Sequence, residues 1–526
     1  MQWNAWGDPA AAKPLSAGIR KLLGQALGIE GPGPQAPTAE QVQLRPSALS
    51  ETHRDGLGKI VGAANIRLDD HGRLLRAGGK STLDLLRRRD FGVQDAPDAV
   101  LLPASEDEIA EILSFCGSHG IAVVPFGGGT SVVGGLDPAR GNFDSVVSLD
   151  LCRLDQLHAL DEISWEAELG AGLSGPEAER LLGERGFSLG HFPQSFLFAT
   201  IGGFAATRSS GQDSAGYGRF NDMVRGLRAI TPAGVLDVGR APESAAGPDL
   251  RQLLMGSEGT FGIITRVRVR VHPVPAATRY EAWSFPDFGT GADALRAVVQ
   301  TGTGPTVIRL SDEAETGVNL ATTEQIGEQQ VTGGCLAITV FEGTDAHVQS
   351  RHAETSALLA ASGGTSLGEA AALAWEHGRF NAPYLRDSLL SAGALCETLE
   401  TATNWSNVPT LKAAVTEALT GALADSGTPA LVLCHISHVY PTGASLYFTV
   451  VAAQRGNPIE QWRKAKAAAS DAMVRVGATI THHHAVGADH LPWMRDEVGD
   501  VGVQVLRAVK AALDPAGILN PGKLIP

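Results

Sequence analysis

The stretch Pro125-Phe126-Gly127-Gly128-Gly129-Thr130-Ser131-Val132-Val133-Gly134-Gly135 decides how this 526-residue chain is read. It follows an apolar run, Ile121–Phe126, that reads as a buried strand, as a dinucleotide loop should. A Rossmann loop then opens a helix whose N-terminus holds the diphosphate, with an acidic residue on the ribose about 20 residues on. Here Leu136-Asp137-Pro138-Ala139-Arg140-Gly141 reads as a turn, and the next regular element is the strand ending at Asp150. Without a crossover helix, Asp150 at that offset carries no weight. Consecutive glycines reach conformations closed to residues with a Cβ, so their N–H groups can converge on an anion. Thr130 and Ser131 add hydroxyl donors. For this loop alone, a tight turn without a ligand is the competing reading.

Two more segments of small and hydroxylated residues follow, Pro193 to Gly211 and Gly256 to Ile264. Each lies at a strand edge, and three such segments can surround one extended ligand. The composition suits a globular enzyme, 43% hydrophobic and 19% charged. The 63 glycines cluster in motifs and show no period, which excludes collagen and repeat arrays. A net charge of -15 argues against nucleic acid as the main partner, though it allows a local basic pocket. The five cysteines are scattered without a CxxC pair, so neither a disulfide framework nor a zinc site is expected. The N-terminal residues lack the pattern of a secretory signal, and no run of about 18 apolar residues exists to span a bilayer. The terminal Lys523 to Pro526 carries no peroxisomal or lipidation address. The expectation is a cytoplasmic protein.

At this length two domains with extensions are expected. Residues 1–92 read as a helical N-terminal extension, with Leu15, Ile19, Leu22, Leu23 and Leu27 on one helical face and a Pro-rich linker from Gly31 to Pro37. Residues 93–275 alternate short strands and helices. Val100 to Leu102 reads as a strand; Ser105, with Asp107 and Glu108, opens an amphipathic helix through His119. Further strands are expected at Ser145–Asp150, Trp165–Leu169, Val224–Thr231, Val235–Val238 and Phe261–Val271. His272-Pro273-Val274-Pro275 ends that domain, because proline cannot continue a ladder. Residues 276–500 read as an α+β cap, with strands at Ala337–Phe341, Ala430–Ser437 and Ser445–Ala452 and helices at Ser406–Ala424 and Pro458–Val476. Residues 501–526 read as a C-terminal return segment packing on the first domain, turn-rich from Leu513 to Lys523. The fold class is α+β.

In order and spacing the three segments resemble the FAD-binding domain of the vanillyl-alcohol oxidase flavoprotein family, the type shared with p-cresol methylhydroxylase (PCMH). The resemblance covers roughly residues 99–275. It implies a PCMH-type FAD-binding domain of two α/β subdomains, and it marks FAD contacts residue by residue. These are Pro125, Phe126, Gly127, Gly128, Gly129, Thr130 and Ser131 in the first segment. The second supplies Gln194, Ser195, Phe196, Leu197, Phe198, Ala199 and Thr200, then Thr207, Arg208, Ser209 and Ser210. The third supplies Glu258, Gly259, Thr260, Phe261, Gly262, Ile263 and Ile264. Some members tether the flavin through a histidine near the first loop; this loop has none, so non-covalent FAD is expected.

FAD alone does not name a reaction. In the cap, Thr481-His482-His483-His484 follows a strand-like Ala478-Thr479-Ile480. On an extended segment His482 and His484 share one face and His483 the other. Acid–base or substrate contact is the favoured role for this run, and spacing reveals no further metal ligand. Cys434 to His438 and Ala444 to Phe448 read as a hairpin in which Tyr447 faces opposite to Leu446. Arg309 is a charge inside a strand-like run and needs an anion, either a protein carboxylate or a ligand phosphate. Arg386 has Asp387 beside it as a partner. Taken singly, each of these residues has a structural reading.

Together they resemble the alkyldihydroxyacetonephosphate synthases, the ether-lipid family on this fold, from Trp3-Asn4-Ala5-Trp6-Gly7 to Asn520. That resemblance implies Tyr447 as acid/base, Arg386 as substrate-binding, and Arg309 and His482 to His484 as needed for activity. It implies exchange of the acyl group of acyl-dihydroxyacetone phosphate for a long-chain alcohol through a flavin N5 adduct, redox-neutral overall. The implied partners are a lipid-phosphate substrate and a fatty alcohol; peripheral membrane contact and a homodimer are compatible with it. The alternative is an FAD-dependent D-2-hydroxy-acid dehydrogenase for D-lactate or glycolate. Those enzymes carry a His-x-Gly-Asp-Gly-Asn-x-His hairpin and a Glu-His-Gly segment. Here the first reads His435-Ile-Ser-His-Val-Tyr-Pro-Thr-Gly443 and the second His482-His-His-Ala485.

Overall fold

The computed structural model describes residues 1–31, 33–318 and 334–526, so Pro32 of the Gly31 to Pro37 stretch lies outside the described residues. Ser105 caps the helix Glu106–His119, its Oγ accepting from Glu108 N at 3.2 Å, and Gly120 ends it at φ +63. That left-handed turn feeds the strand Ile121–Phe126. It pairs in parallel with Ser145–Asp150, which pairs in parallel with Ala99–Leu101. Ile66–Arg67 adds an antiparallel edge, so the N-terminal region supplies one strand of this sheet. No helix lies between Phe126 and Ser145, and the glycine loop occupies the space where a Rossmann helix would start.

A second, antiparallel sheet runs Gly234–Val238, Val224–Thr231, Ile263–Arg270, Glu166–Gly170, Leu157–Asp161. Glu106 joins the two sheets, its carboxylate taking Arg228 at 2.9 Å and Arg266 at 3.1 Å. One apolar cluster spans both, including Ile109, Ile112, Val123, Val147, Leu169 and Val267.

The cap is a seven-stranded antiparallel sheet ordered Thr365–Gly368, Ala277–Phe285, Cys335–Gly343, Val307–Ser311, Ala430–Tyr440, Gly443–Ala453, Ala394–Asn404. The period of two along its strands sorts the side chains. Cys434, Ile436, Leu446, Phe448 and Val450 pack into the core, with helices Val408–Asp425 and Pro458–Arg475 contributing Leu411, Val415 and Trp462. Leu433, His435, Ser437, Tyr447, Thr449 and Val451 line a cavity. Opposite faces of the same strands thus serve the fold and the site.

Two expectations need correction. Ala478 to Ile480 is not a strand: the Glu497 carboxylate takes Thr479 Oγ1 at 2.7 Å and Ile480 N at 3.0 Å and bends the segment. Further on, Met494–Leu513 is two helical segments that meet at a break at Gly499 (φ 72, ψ 170). Leu22 is only half-buried, whereas Leu15, just before the Ser16 cap, packs with Ile19, Leu23 and Leu27 of the helix Ala17–Leu27 in one buried cluster. Strands not foreseen include Leu157–Asp161, Ala277–Phe285 and Ala394–Asn404. Among the described residues no helix is long and apolar enough to cross a membrane.

Candidate active site

A cavity of about 380 Å³ lies between the first domain and the cap sheet. Its first wall is the glycine loop. A Cβ on Gly128 would sit 1.9 Å from Phe198 O, and one on Gly127 2.4 Å from Thr200 Oγ1, so the first and second segments pack backbone to backbone. Gly129 holds φ +72. Among the described residues, no protein acceptor takes the N–H of Gly128, Gly129, Thr130 or Ser131. Gln194 Nε2, Ser257 Oγ, Thr260 Oγ1 and Asn520 Oδ1 are buried around the same walls without partners. Free convergent donors in a cradle that only glycine fits suit an extended diphosphate-containing cofactor.

Of the residues marked for FAD, Pro125 to Ser131, Gln194, Ser195, Ala199, Thr200, Thr207, Ser209, Ser210, Glu258, Gly259, Gly262 and Ile264 line the cavity. The others do not. Phe261 and Ile263 point into the apolar core, and Thr260 is buried behind the wall. Phe196 packs on Phe192 and Phe380; Phe198 meets Trp6 edge-on; Leu197 is exposed. Arg208 turns away to Met255 O and Gln252. Most of these residues sit in turns, and Arg208 caps a helix in the left-handed conformation, so only part of each segment faces the cavity.

The cap wall carries the reactive side chains. Tyr447 lies across from His435 in the hairpin, rings stacked at 5.0 Å. Burial pushes the Tyr447 hydroxyl above its ordinary value against an opposing hydrogen bond from Thr398, so it is protonated at neutral pH. Arg309 projects from the neighbouring strand and bonds Glu315 at 2.6 Å; His435 Nδ1 meets the other Glu315 oxygen at 2.8 Å. Burial opposes ionisation of Glu315, yet His435 and Arg309 outweigh it and hold the carboxyl at about 2. Arg309 Nε has no partner. Arg386, on the helix Ala382–Ser391, bonds Asp387 through Nε and Nη2 at 3.1 and 3.0 Å and Lys80 O at 2.5 Å. Burial lowers its affinity for the proton, but Asp387 and Glu397 more than compensate.

The histidine run does not follow the two-face geometry expected of it. Thr481 to His484 wraps around the buried Glu400 carboxylate, which accepts from Thr481 Oγ1 and His482 N at 2.6 Å, His484 N at 2.9 Å and His483 N at 3.1 Å. This wrapping turns His483 and His484 together into the cavity, while His482 stands behind the wall with its Nε2 2.6 Å from Tyr440 Oη. Burial lowers His483 to about 3, against the pull of Glu400, so the ring is neutral at neutral pH. His438 joins from the hairpin, its Nδ1 2.7 Å from Ser214 Oγ and its ring 5.1 Å from that of His482. Nitrogens of His438, His482 and His483 lie within 4.8 Å of one another, a proximity hidden from spacing because His438 comes from another strand.

Sequence reasoning also missed Glu315, Glu400, His435 and Arg379. Arg379 lines the cavity, pairs with Asp213 at 3.0 Å and faces Phe192 at 4.8 Å. His435 was readable: on the strand face of Leu433 and Ser437, it is the residue directly opposite Tyr447 in the hairpin.

The comparisons with known proteins agree with this geometry. The family described as FAD binding domain matches residues 97–239, and FAD linked oxidases, C-terminal domain, matches residues 274–524. The chain is 31% identical to the alkyldihydroxyacetonephosphate synthase of Trypanosoma brucei brucei, over 100% of this chain and 92% of that protein. It is 34% identical to the one from Dictyostelium discoideum, over 87% and 78%. A solved alkyldihydroxyacetonephosphate synthase superposes with a TM-score of 0.85 at 28% identity, covering 100% of this chain and 98% of that one. On its glycine cradle, its cap sheet and this full-length similarity, the chain belongs to the FAD-dependent alkyldihydroxyacetonephosphate synthase family.

Proposed function

We propose that this protein exchanges the acyl group of an acyl-dihydroxyacetone phosphate for a long-chain alcohol, an ether-lipid-forming transfer without net redox change. The observation that carries the reading is the convergence of Tyr447, His483, His484, Arg309 and Arg386 on one cavity that also has an apolar patch of cap residues, Leu385, Leu389, Cys396, Leu433 and Val451. A phosphate dianion calls for fixed guanidinium groups and an alkyl chain for a dry wall. FAD, when bound along this wall, would supply the flavin ring chemistry for exchange at C1 of the substrate. Pro125 to Ser131 and the unpartnered Gln194 Nε2 would hold that cofactor.

The protein's own groups manage protons and charge. Tyr447, protonated at neutral pH, is placed to donate at C1 as the acid leaves. Neutral His484, its pKa lowered by burial against the pull of Glu400, accepts the hydroxyl proton of the incoming alcohol. Arg386 orients the phosphate. The enzyme works in the cytoplasm at the membrane surface that supplies both lipid chains. Incubating the FAD-loaded protein with palmitoyl-dihydroxyacetone phosphate and labelled hexadecanol should give labelled alkyl product and free palmitate. Label confined to unreacted alcohol rejects the reading.

A further inference from the structure

Trp6 lines the cavity although it lies 381 residues before Asp387, whose carboxylate accepts its backbone N–H. Buried side chains pin the segment that carries it. Lys80 spends its ammonium on Gln2 O at 2.5 Å and Trp3 O at 3.2 Å, and Arg88 Nη1 donates to Trp3 O at 2.8 Å. Asp8 N donates to Tyr384 Oη at 3.1 Å. Gly7 holds φ +63, and a Cβ there would stand 2.1 Å from the same hydroxyl oxygen. Fixing a segment this firmly costs conformational entropy, which these bonds offset.

The Trp6 side chain itself is not fully satisfied. The residue is 3% exposed, and its Nε1 is buried with no hydrogen-bond partner among the described residues. Its ring meets Phe198 of the second cofactor segment edge-on at 5.7 Å. Buried donors in native folds are nearly always matched, so an open one in a cavity wall points to an acceptor on a ligand. Asp387 indicates which ligand group that is: its Oδ2 takes Trp6 N, while its Oδ1 takes Arg386 Nε and Nη2. One carboxylate thus fixes the tryptophan and the phosphate-orienting arginine together.

We propose that Trp6 is a substrate-binding residue whose indole N–H donates to a phosphate oxygen of the acyl-dihydroxyacetone phosphate held by Arg386. The assignment rests on the exchange proposed above, which brings that phosphate into the cavity. Arg386 does not satisfy such a group by itself, because Asp387 and Lys80 O already take several of its N–H donors. A phosphate presents several strong acceptor oxygens and calls for further donors. An indole suits the position, since it adds a donor without adding another cation beside the buried Lys80, Arg88 and Arg386. The rest of the ring stays apolar and packs against Phe198.

Equilibrium dialysis of labelled dihydroxyacetone phosphate against the FAD-loaded protein tests this without turnover and isolates the headgroup from both chains. Trp6→Phe keeps an aromatic ring and removes the N–H. Its Kd should rise about tenfold or more, with flavin content and the KM for hexadecanol unchanged. Gly7→Ala displaces the indole without altering it and should weaken binding in the same way, so it decides the matter if Trp6→Phe does not fold. Wild-type affinity in the deciding variant overturns the contact and leaves Trp6 as packing for Phe198. A flavin-to-protein ratio that falls together with the affinity also overturns it, because the N–H would then serve the cofactor. Wild-type protein that binds no dihydroxyacetone phosphate overturns the contact and the exchange alike. If the wild type binds it, the variants bind it more weakly, and no palmitate is ever freed from the acyl substrate, the exchange is refuted and the contact stands.

Discussion

Glu315 is 1% exposed between Arg309 and His435, and its ionisation sets the charge beneath Tyr447. Its folded value of about 2 lies below the unfolded one of about 4.3. A depressed carboxyl contributes stability above the unfolded value and loses it as pH falls through the folded one. Glu315→Gln leaves a buried guanidinium unpaired, at a cost of about 3–5 kcal/mol near pH 7. Urea unfolding followed by tryptophan fluorescence should show that difference shrinking as pH drops from about 4.3 towards 2. A difference independent of pH would mean that Glu315 is not ionised in the fold. Tyr447→Phe keeps the ring on His435 and removes only the proton donor. Turnover should fall about a hundredfold or more with flavin content unchanged, read by product formation against flavin absorbance.

At the scale of the element, the glycine loop makes the sharpest demand. Gly128→Ala drives a Cβ into Phe198 O and should empty the cradle, seen as a collapsed flavin-to-protein absorbance ratio. Gly183→Ala, in a helix with open space around it, is the control and should leave that ratio intact while adding about 0.5–1 kcal/mol. Much of this level was readable in the sequence. The Ser105 cap and Gly120 stop delimit their helix, and the missing helix after Gly135 separates this fold from a Rossmann domain. Ala394–Asn404 escaped because Glu397 and Glu400 look like solvated charges. In the fold Glu397 takes Thr82 N, and Glu400 takes the histidine run, partners some 315 and 82 residues away. The histidines misled for the same reason: their geometry is set by Glu400, which no local window contains. Tyr447, Arg309 and Arg386 stand out as polar residues on alternating or amphipathic stretches, but on pattern alone each read as structural, and only the family resemblance gave them roles.

In the whole molecule, the chain's last residues close the cofactor site that the glycine loop begins. Val123 N donates to Ile518 O and Asn520 N to Val123 O, both at 2.8 Å. Asn520 Nδ2 then donates to Gly135 O at 3.2 Å and Glu258 O at 2.7 Å, tying the first and third segments together. Asn520→Ala removes both ties and should cost about 1–3 kcal/mol, with weaker flavin retention on dilution. The cap sheet then sets the chemistry by facing Tyr447, Arg309 and the Glu400-held histidines against that cofactor. The most direct test of this arrangement is the anaerobic flavin spectrum of the protein turning over. With palmitoyl-dihydroxyacetone phosphate and hexadecanol the flavin should stay oxidised from one steady state to the next while palmitate accumulates, and D-lactate should leave it unbleached. Rapid, complete bleaching by D-lactate, with no palmitate released from the lipid substrate, would contradict the account.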